Sequence, residues 1–487
     1  DTYMTKLIER LLEWLGALKS PVILLSATLP SDKRRALINA YARGLSGERE
    51  RNDELPESDY PRITWTTGDK PQAKTLLQKE EKKRELMVEW VDGRLEEQAD
   101  SCSLIGNLGQ ELRDKLENGG CAAVICNTVG RAQQMYRALS AFFDPETELD
   151  LFHARFLFED RERQEKMTLW RFGKAKKKVD FGNGDEREVE RPKGRFVLVA
   201  TQVIEQSLDL DFDLMVSDFA PTDLWLQRSG RIWRHDGNPR YEIEQPTLWL
   251  CQPEIGEDEL HFDSGTEAVY QPGWILLRSW LALNDQQWQL AASHRVVKIP
   301  DEIEPLIDAT YPKEDADSLT DCPAHFTPPQ REFWQSLRQK HCDLQKEHES
   351  FAEDKLLRGP QNTEHLGEFF RRDLEEDLEN VHATHRALTR LGDSIGIICF
   401  DEGTPFNEKA VPDPDETERL LKRSVTISRK GLVQQIRALP LPPGWKKSPL
   451  LRHYRQIVLN RKTKGLDYLF KLDNRLGVLI EKQGGKQ

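Results

Sequence analysis

The sequence predicts an α/β protein organised on a parallel sheet, and three observations point there. Between Ile63 and about Leu250, short apolar runs rich in strand formers alternate with stretches of helical periodicity. That is the pattern of parallel strands joined by crossover helices. Polar residues able to hold a ligand follow the run Phe196 to Thr201, at a strand end of the kind where open α/β sheets bind. With 487 residues, 38% hydrophobic and 31% charged, the chain can bury more than one core, because a domain usually takes about 100–200 residues.

The elements follow in order. Leu7, Leu11, Leu12, Leu15 and Leu18 recur at helical spacing, so residues 1–20 should form an amphipathic helix. Val22 to Leu25 is wholly apolar and reads as a buried parallel strand. The loop Ser26-Ala27-Thr28-Leu29-Pro30 follows, and Ser31-Asp32 is placed to cap the next helix. Residues 45–60 are polar and read as a connector. Strands are expected at Val124 to Asn127, Phe196 to Thr201, Leu214 to Val216 and Thr247 to Cys251, with helices at Val129 to Leu139 and Asp223 to Arg234. The run between Arg171 and Lys193, rich in Lys, Asp and Gly, reads as a surface loop or twisted hairpin set into that domain. From Pro253 to about Asn380 the chain is acidic and mostly helical, as at Gln330 to Leu356. Strand-like pieces return at Ser394 to Phe400 and Ser424 to Ile427.

Charge is unevenly spread. The net is −13, yet Leu421 to Gln487 holds sixteen Lys and Arg against three Asp and Glu, a net of +13. Asp301 to Leu420 holds 29 acidic residues against 13 basic ones. The basic end could meet phosphate or dock on an acidic neighbour. No apolar run approaches the roughly 18 residues needed to cross a bilayer, so no membrane role is expected. The seven cysteines are scattered and odd in number, which argues for a reducing cytoplasm rather than a disulfide scaffold.

The residues with most chemical content are Gln227-Arg228-Ser229-Gly230-Arg231-Ile232-Trp233-Arg234. On a helix, Gln227, Arg231 and Arg234 would share one face. Planar, bidentate guanidinium groups converging on one place suit a polyphosphate, as an arginine finger does in phosphoryl transfer. Upstream, Thr201 to Asp209 follows an apolar strand. Thr201 and the local amides could bind a phosphodiester, and Asp209 could orient a ribose hydroxyl or an arginine. Glu205 and Asp209 could also merely cap and solubilise a loop.

Together these segments resemble superfamily 2 helicases. Ser26-Ala27-Thr28 is similar to motif III, Thr201 to Asp209 to motif V, and Gln227 to Arg234 to motif VI, in the right order. More narrowly, SATLP, CNTVGRAQ from Cys126, LFHARF from Leu151, ATQVIEQSLDLDFD from Ala200 and QRSGRIWRH from Gln227 resemble the CRISPR-associated helicase–nuclease of type I systems, subtype I-E. Gly431-Leu432-Val433 and Pro442-Pro443-Gly444-Trp445 resemble its C-terminal domain.

The resemblance implies RecA-like lobes and an ATP-driven, 3′-to-5′ single-strand DNA translocase, recruited by the RNA-guided surveillance complex Cascade. In the family an N-terminal HD nuclease cuts the reeled-in strand. The implied segments are the end of a first lobe (1–58), a second lobe (59–253), an acidic linker region (254–389) and a basic C-terminal domain (390–487). Gln227, Arg231 and Arg234 would sense the γ-phosphate of ATP with Mg2+. Asp209 and Gly230 would border the nucleotide cleft, and Ser26 and Thr28 would couple hydrolysis to lobe movement. Asn127, Thr128 and Thr201 would hold the DNA backbone, with His153 and Arg155 near its path.

No G-x-x-x-x-G-K-[ST] loop occurs, and no DExH box precedes Ser26. The expectation is a C-terminal portion that hydrolyses ATP poorly alone, with the nuclease and first lobe on another chain, truncated or lost. Asp258-Glu259-Leu260-His261 and His235-Asp236 imitate a DExH box and an HD pair but lack the right surroundings. Cys322, His325, His341 and Cys342, and His382 with His385, are read as ordinary polar positions, so no metal site is expected. Two rival readings remain: a non-catalytic module binding DNA or Cascade through residues 390–487, and a superfamily 2 RNA helicase.

Overall fold

The computed structural model describes residues 2–77, 83–95, 107–205, 208–241, 243–311, 322–354, 356, 359–360 and 394–483. Its segments gather into two compact units. The first comprises Asp1–Met87, Ala220–Gln227 and Pro253–Leu391, and the second Val88–Phe219, Arg228–Gln252 and Gly392–Gln487.

In the second unit the α/β expectation holds. Within this unit, sheet strands run in the order Thr247–Cys251, Leu214–Ser217, Gly120–Ile125, Arg195–Ala200, Leu149–Phe152. The four pairings from Thr247–Cys251 across to Leu149–Phe152 are parallel. Gly120–Ile125 and Leu214–Ser217 are buried along their whole length, as central parallel strands covered on both faces must be. The helix Val129–Leu139 packs Ala132, Met135, Tyr136 and Leu139 into the core with Val124, Val197, Val216 and Trp249. The run after Arg171 is indeed a hairpin, Lys178–Asp180 against Glu186–Glu188.

Further along, Ile395–Phe400 pairs with Ser424–Ile427 and with Tyr454–Val458, and Tyr468–Asp473 folds back on Gly477–Lys482. That last hairpin is stitched to the parallel-sheet part of the unit. Gln133 Nε2 donates to the Leu476 carbonyl at 2.7 Å, and the Val478 amide donates to the Arg155 carbonyl at 2.8 Å. The turn needs glycine: Gly477 has φ +69°, and a Cβ there would lie 2.8 Å from the Arg155 oxygen.

In the first unit, Thr2–Ala17 and Ser31–Ser46 cross at two glycines. A Cβ on Gly16 would meet the Tyr41 carbonyl at 2.4 Å, and one on Gly44 the Glu13 carbonyl at 2.0 Å. Tyr3 meets Phe351 of the long helix Pro328–Glu353, which opens on a Thr327/Gln330 capping box. Trp274 and Trp334 pack edge to face at 4.4 Å.

Three local expectations are corrected. Val22 to Leu25 is not a buried strand: Ile23 is 85% and Leu25 92% exposed, and no described strand pairs with it. An apolar run becomes a central strand only when neighbours satisfy its backbone and cover its faces. Ser31 and Asp32 do not cap the following helix, whose N-cap is Pro30 with no side-chain hydrogen bond; they lie in its first turn. The helix expected to reach Arg234 spans Thr222–Ser229. Beyond it, backbone bonds from Phe212 to the Arg231 carbonyl and from Trp233 to the Phe212 carbonyl, both 2.9 Å, draw the chain into a bridge. Trp233 takes φ 49°. His382 and His385 lie outside the described residues. Among the described residues, no helix is long and apolar enough to cross a membrane.

Candidate functional site

In the second unit, Thr201 to Asp213 is clamped to Arg228 to Arg240. Thr201 is buried at the end of the Arg195–Ala200 strand, and Asn127 follows the adjacent Gly120–Ile125 strand. Gln202 Nε2 ties the two strand ends together, donating to the Asn127 carbonyl at 2.9 Å.

Under this loop lies a closed polar network. Arg228 is fully buried. Its Nε donates to Glu205 Oε1 at 2.7 Å, and its other nitrogens reach Ser217 Oγ at 2.7 Å, the Asp218 carbonyl at 3.1 Å and Asn127 Oδ1 at 3.0 Å. Asn127 Nδ2 donates to the Phe219 carbonyl at 2.8 Å, so this side chain is committed inside the unit. Thr128 caps the Val129–Leu139 helix by accepting from the Arg131 amide. Arg131 in turn pairs with buried Asp218 at 2.6 Å.

A second network anchors the chain beyond Arg231. Asp211 accepts from the Arg234 amide at 2.9 Å, Asn238 at 2.6 Å and Arg240 at 2.8 Å. Asp213 forms an ion pair with Arg191 at 2.8 Å and accepts from Arg240 at 2.9 Å and from the Cys121 amide at 2.8 Å. Burying these two carboxylates is tolerable only because each is surrounded by donors.

The surface set above the networks has a different character. Arg231 is half-buried. One terminal nitrogen donates to the Glu205 carbonyl at 2.7 Å, while its Nε has no hydrogen-bond partner. Burial and the neighbouring Arg234 push its pKa below the ordinary value. Arg234 holds Asp209 at 2.8 Å, with Lys177 at 3.2 Å and His235 at 3.1 Å from the same carboxylate. Partial burial opposes ionisation of Asp209, but these donors hold it down at about 2. Gly230 sits at the turn between Arg228 and Arg231, its carbonyl 3.4 Å from Arg234 Nη1. A guanidinium with a free buried donor beside a second guanidinium is chemistry suited to an oxyanion.

Gln227 belongs with the first unit, where its Nε2 donates to Thr28 Oγ1 at 3.4 Å. Ser26 Oγ accepts from the Thr28 amide at 3.3 Å, and the Tyr60 hydroxyl donates to the Ala27 carbonyl at 3.0 Å. His153 is fully buried and stacks on Phe156 at 4.6 Å. Burial, with Arg155 nearby, pushes its pKa down to about 3. A neutral ring accepting from the Arg155 amide through Nδ1 is a packing group.

Sequence reasoning did not single out Arg228, Asp218, Arg131, Asp211, Asp213, Arg191 or Arg240. One signal was available. Asp211 and Asp213 alternate with Leu210, Phe212 and Leu214, and charges set in an apolar run must find partners when the run is buried.

Comparison with known proteins adds the family. Residues 118–237 match the model "CRISPR-associated nuclease/helicase Cas3, C-terminal", and 372–478 match "Cas3 C-terminal domain". The chain belongs to the Cas3 family. It is 30% identical to the CRISPR-associated endonuclease/helicase Cas3 of Thermus thermophilus, over 98% of this chain and 52% of that protein. Among solved structures, a CRISPR-associated protein matches with TM-score 0.78 and 37% identity, covering 99% of this chain and 50% of the other. Cas3 of T. fusca matches with TM-score 0.75 and 28% identity, over 98% and 53%; it has also been solved with ADP, AMPPNP and ATP. A CRISPR RNA-guided surveillance complex, pre-nicking, contains a further match with TM-score 0.68. The chain thus spans about half the length of the Cas3 relatives it matches, and its fold is that of RecA-like superfamily 2 helicases.

Proposed function

We propose that this chain supplies the second RecA-like lobe and the C-terminal domain of an ATP-driven single-strand DNA translocase, acting in type I CRISPR interference with a Cascade-type surveillance complex. The observation that carries the reading is Arg231, whose buried Nε is unpartnered beside Arg234. Arg231 and Arg234 act on the γ-phosphate of ATP, and Asp209 and Gly230 border the nucleotide. Gln227 with Ser26 and Thr28 couples hydrolysis to lobe movement. Thr201, with the backbone at Asn127 and Thr128, faces the DNA at the C-terminal ends of two parallel strands, where such sheets bind ligands. Residues 1–58, 59–253, 254–389 and 390–487 serve as end of the first lobe, second lobe, linker region and C-terminal domain. Mg2+ and the phosphate-cradling groups would come from elements not found in this sequence.

The test combines this chain with a polypeptide carrying a phosphate-binding loop and DExH box, and measures ATP hydrolysis with single-stranded DNA. Arg231→Ala is expected to lower kcat by roughly 10³-fold with little change in DNA affinity, the usual effect of losing an arginine finger. Unchanged kcat would sink the assignment. The basic C-terminal segment favours the second reading, a non-catalytic binding module. DNA affinity that survives Arg231→Ala and Arg234→Ala but vanishes without residues 390–487, in a combination with no DNA-stimulated hydrolysis, would select it. Tighter binding of RNA than of DNA would select an RNA helicase.

A further inference from the structure

The helix Thr222–Ser229 carries Gln227, and its first turn is held from outside. The first amides of a helix have no partner within it. Here the Thr222 amide donates to Ser279 Oγ at 3.0 Å, on the helix Trp274–Leu283. Ser279 spends its own proton on the Ile275 carbonyl at 2.7 Å, so towards Thr222 it acts as acceptor. The Thr222 hydroxyl lies 2.6 Å from that of Thr310, the last residue of the helix Ile303–Thr310. Thr310 donates to the Leu306 carbonyl at 2.9 Å, which makes Thr222 the donor between the two. Thr222, Ser279 and Thr310 are all fully buried. One residue further on, the Tyr311 hydroxyl donates to Asp223 Oδ1 at 2.6 Å. Burial and the Asp223 charge push the Tyr311 pKa well above the ordinary phenol value, so the ring keeps its proton and stays a donor.

The helix Ile303–Thr310 also reaches the chain that follows Thr28. Ser31 Oγ donates to Asp308 at 3.4 Å, and Arg62 pairs with Glu304. The Lys33 ammonium stands 5.7 Å from the centre of the Tyr311 ring. Ser31 and Lys33 lie in the first turn of the helix Ser31–Ser46. All these residues belong to the first unit, as does the 3.4 Å contact between Gln227 and Thr28. One short helix thus holds both the segment that ends at Gln227 and the segment that begins after Thr28. A functional side chain keeps its geometry only when the elements carrying it are themselves fixed by packing and hydrogen bonds.

We infer that Tyr311 and Thr310 are positioning residues: by gripping Asp223 and Thr222 they set Gln227 against Thr28, which brings the acidic linker region into the coupling of hydrolysis to movement. The inference rests on the proposed translocase reading for what Gln227 does, whereas the grip on the helix can be judged separately.

Tyr311→Phe removes one oxygen and keeps the ring beside Lys33. The test follows this variant in three ways. The first is DNA-stimulated ATP hydrolysis by the full chain combined with the polypeptide that carries a phosphate-binding loop and DExH box. The others are thermal unfolding of the full chain and its amide hydrogen exchange over residues 220–229. Well below the melting temperature, kcat is expected to fall about tenfold, the size of one charge-assisted hydrogen bond, with the KM for ATP unchanged. Exchange should quicken over residues 220–229 and not in the strand Gly120–Ile125. Asp223→Asn still offers the phenol an acceptor oxygen and should retain most of kcat. Asp223→Ala should match Tyr311→Phe, and the double variant should be no worse than either, because both remove the same contact. A lowered melting temperature with wild-type kcat, in a combination that Arg231→Ala disables, would overturn the positioning role. If the combination is inactive, or Arg231→Ala leaves it unchanged, the translocase reading fails and exchange decides. Faster exchange confined to residues 220–229 would keep the grip, and exchange equal to wild type would overturn it.

Discussion

Arg228 and Arg231 are three residues apart and do opposite things. Arg228 is wholly desolvated, and it donates to Glu205, Ser217, Asp218 and Asn127 at or just beyond the ends of the parallel strands. Its worth lies in the penalty of removing it, since the buried Glu205 carboxylate would lose a charge-assisted bond of 2.7 Å and three further acceptors would lose a donor. Arg228→Ala is therefore expected to cost about 3–5 kcal/mol of unfolding free energy, read in urea denaturation. Arg228→Lys should recover little, because an ammonium cannot present a planar fork to four acceptors. A loss under about 1 kcal/mol for Arg228→Ala would show that the pair and its bonds are not a structural unit. Arg231 keeps a buried donor unspent, so its removal should be felt in chemistry and not in stability.

At the scale of elements, legibility in the sequence followed how completely each element is enclosed. Thr247–Cys251, Ser424–Ile427 and the helix Val129–Leu139 fall where periodicity and composition put them, because each buries its apolar face within its own unit. The Thr222–Ser229 helix ends early for a reason no local pattern carries, namely backbone pairing of Ile232 with Phe212 across twenty residues of sequence. The two arginine networks escaped notice for the same reason: their partners are distant in sequence. Val22 to Leu25 is the opposite case, a strand signal without a sheet. Ile23 and Leu25 stand 85% and 92% exposed in a β-prone run with no charge, the composition that invites edge-to-edge association. The chain is accordingly expected to self-associate with rising concentration in sedimentation velocity, and Ile23→Lys with Leu25→Lys to suppress it. Association undiminished in the double variant would place the sticky surface elsewhere.

At the scale of the molecule, the proposed function gives the chain the charge-stabilising half of a phosphoryl-transfer site. An arginine finger multiplies a rate only when the triphosphate is already cradled and in line, because the catalysis is positioning and electrostatic preorganisation. The 487 residues contain no G-x-x-x-x-G-K-[ST] sequence, so on this reading Arg231 and Arg234 have no held γ-phosphate to act upon. This polypeptide by itself is expected to release phosphate from ATP at background rate, with or without single-stranded DNA. Binding of the DNA should persist, since its contacts are proposed at strand ends and in the basic C-terminal domain within this chain. Phosphate release measured with and without oligo-dT checks both halves. DNA-stimulated turnover that Arg231→Ala abolishes in the isolated chain would mean that residues already present cradle the triphosphate, and the division of labour argued from Arg231 would have to be redrawn.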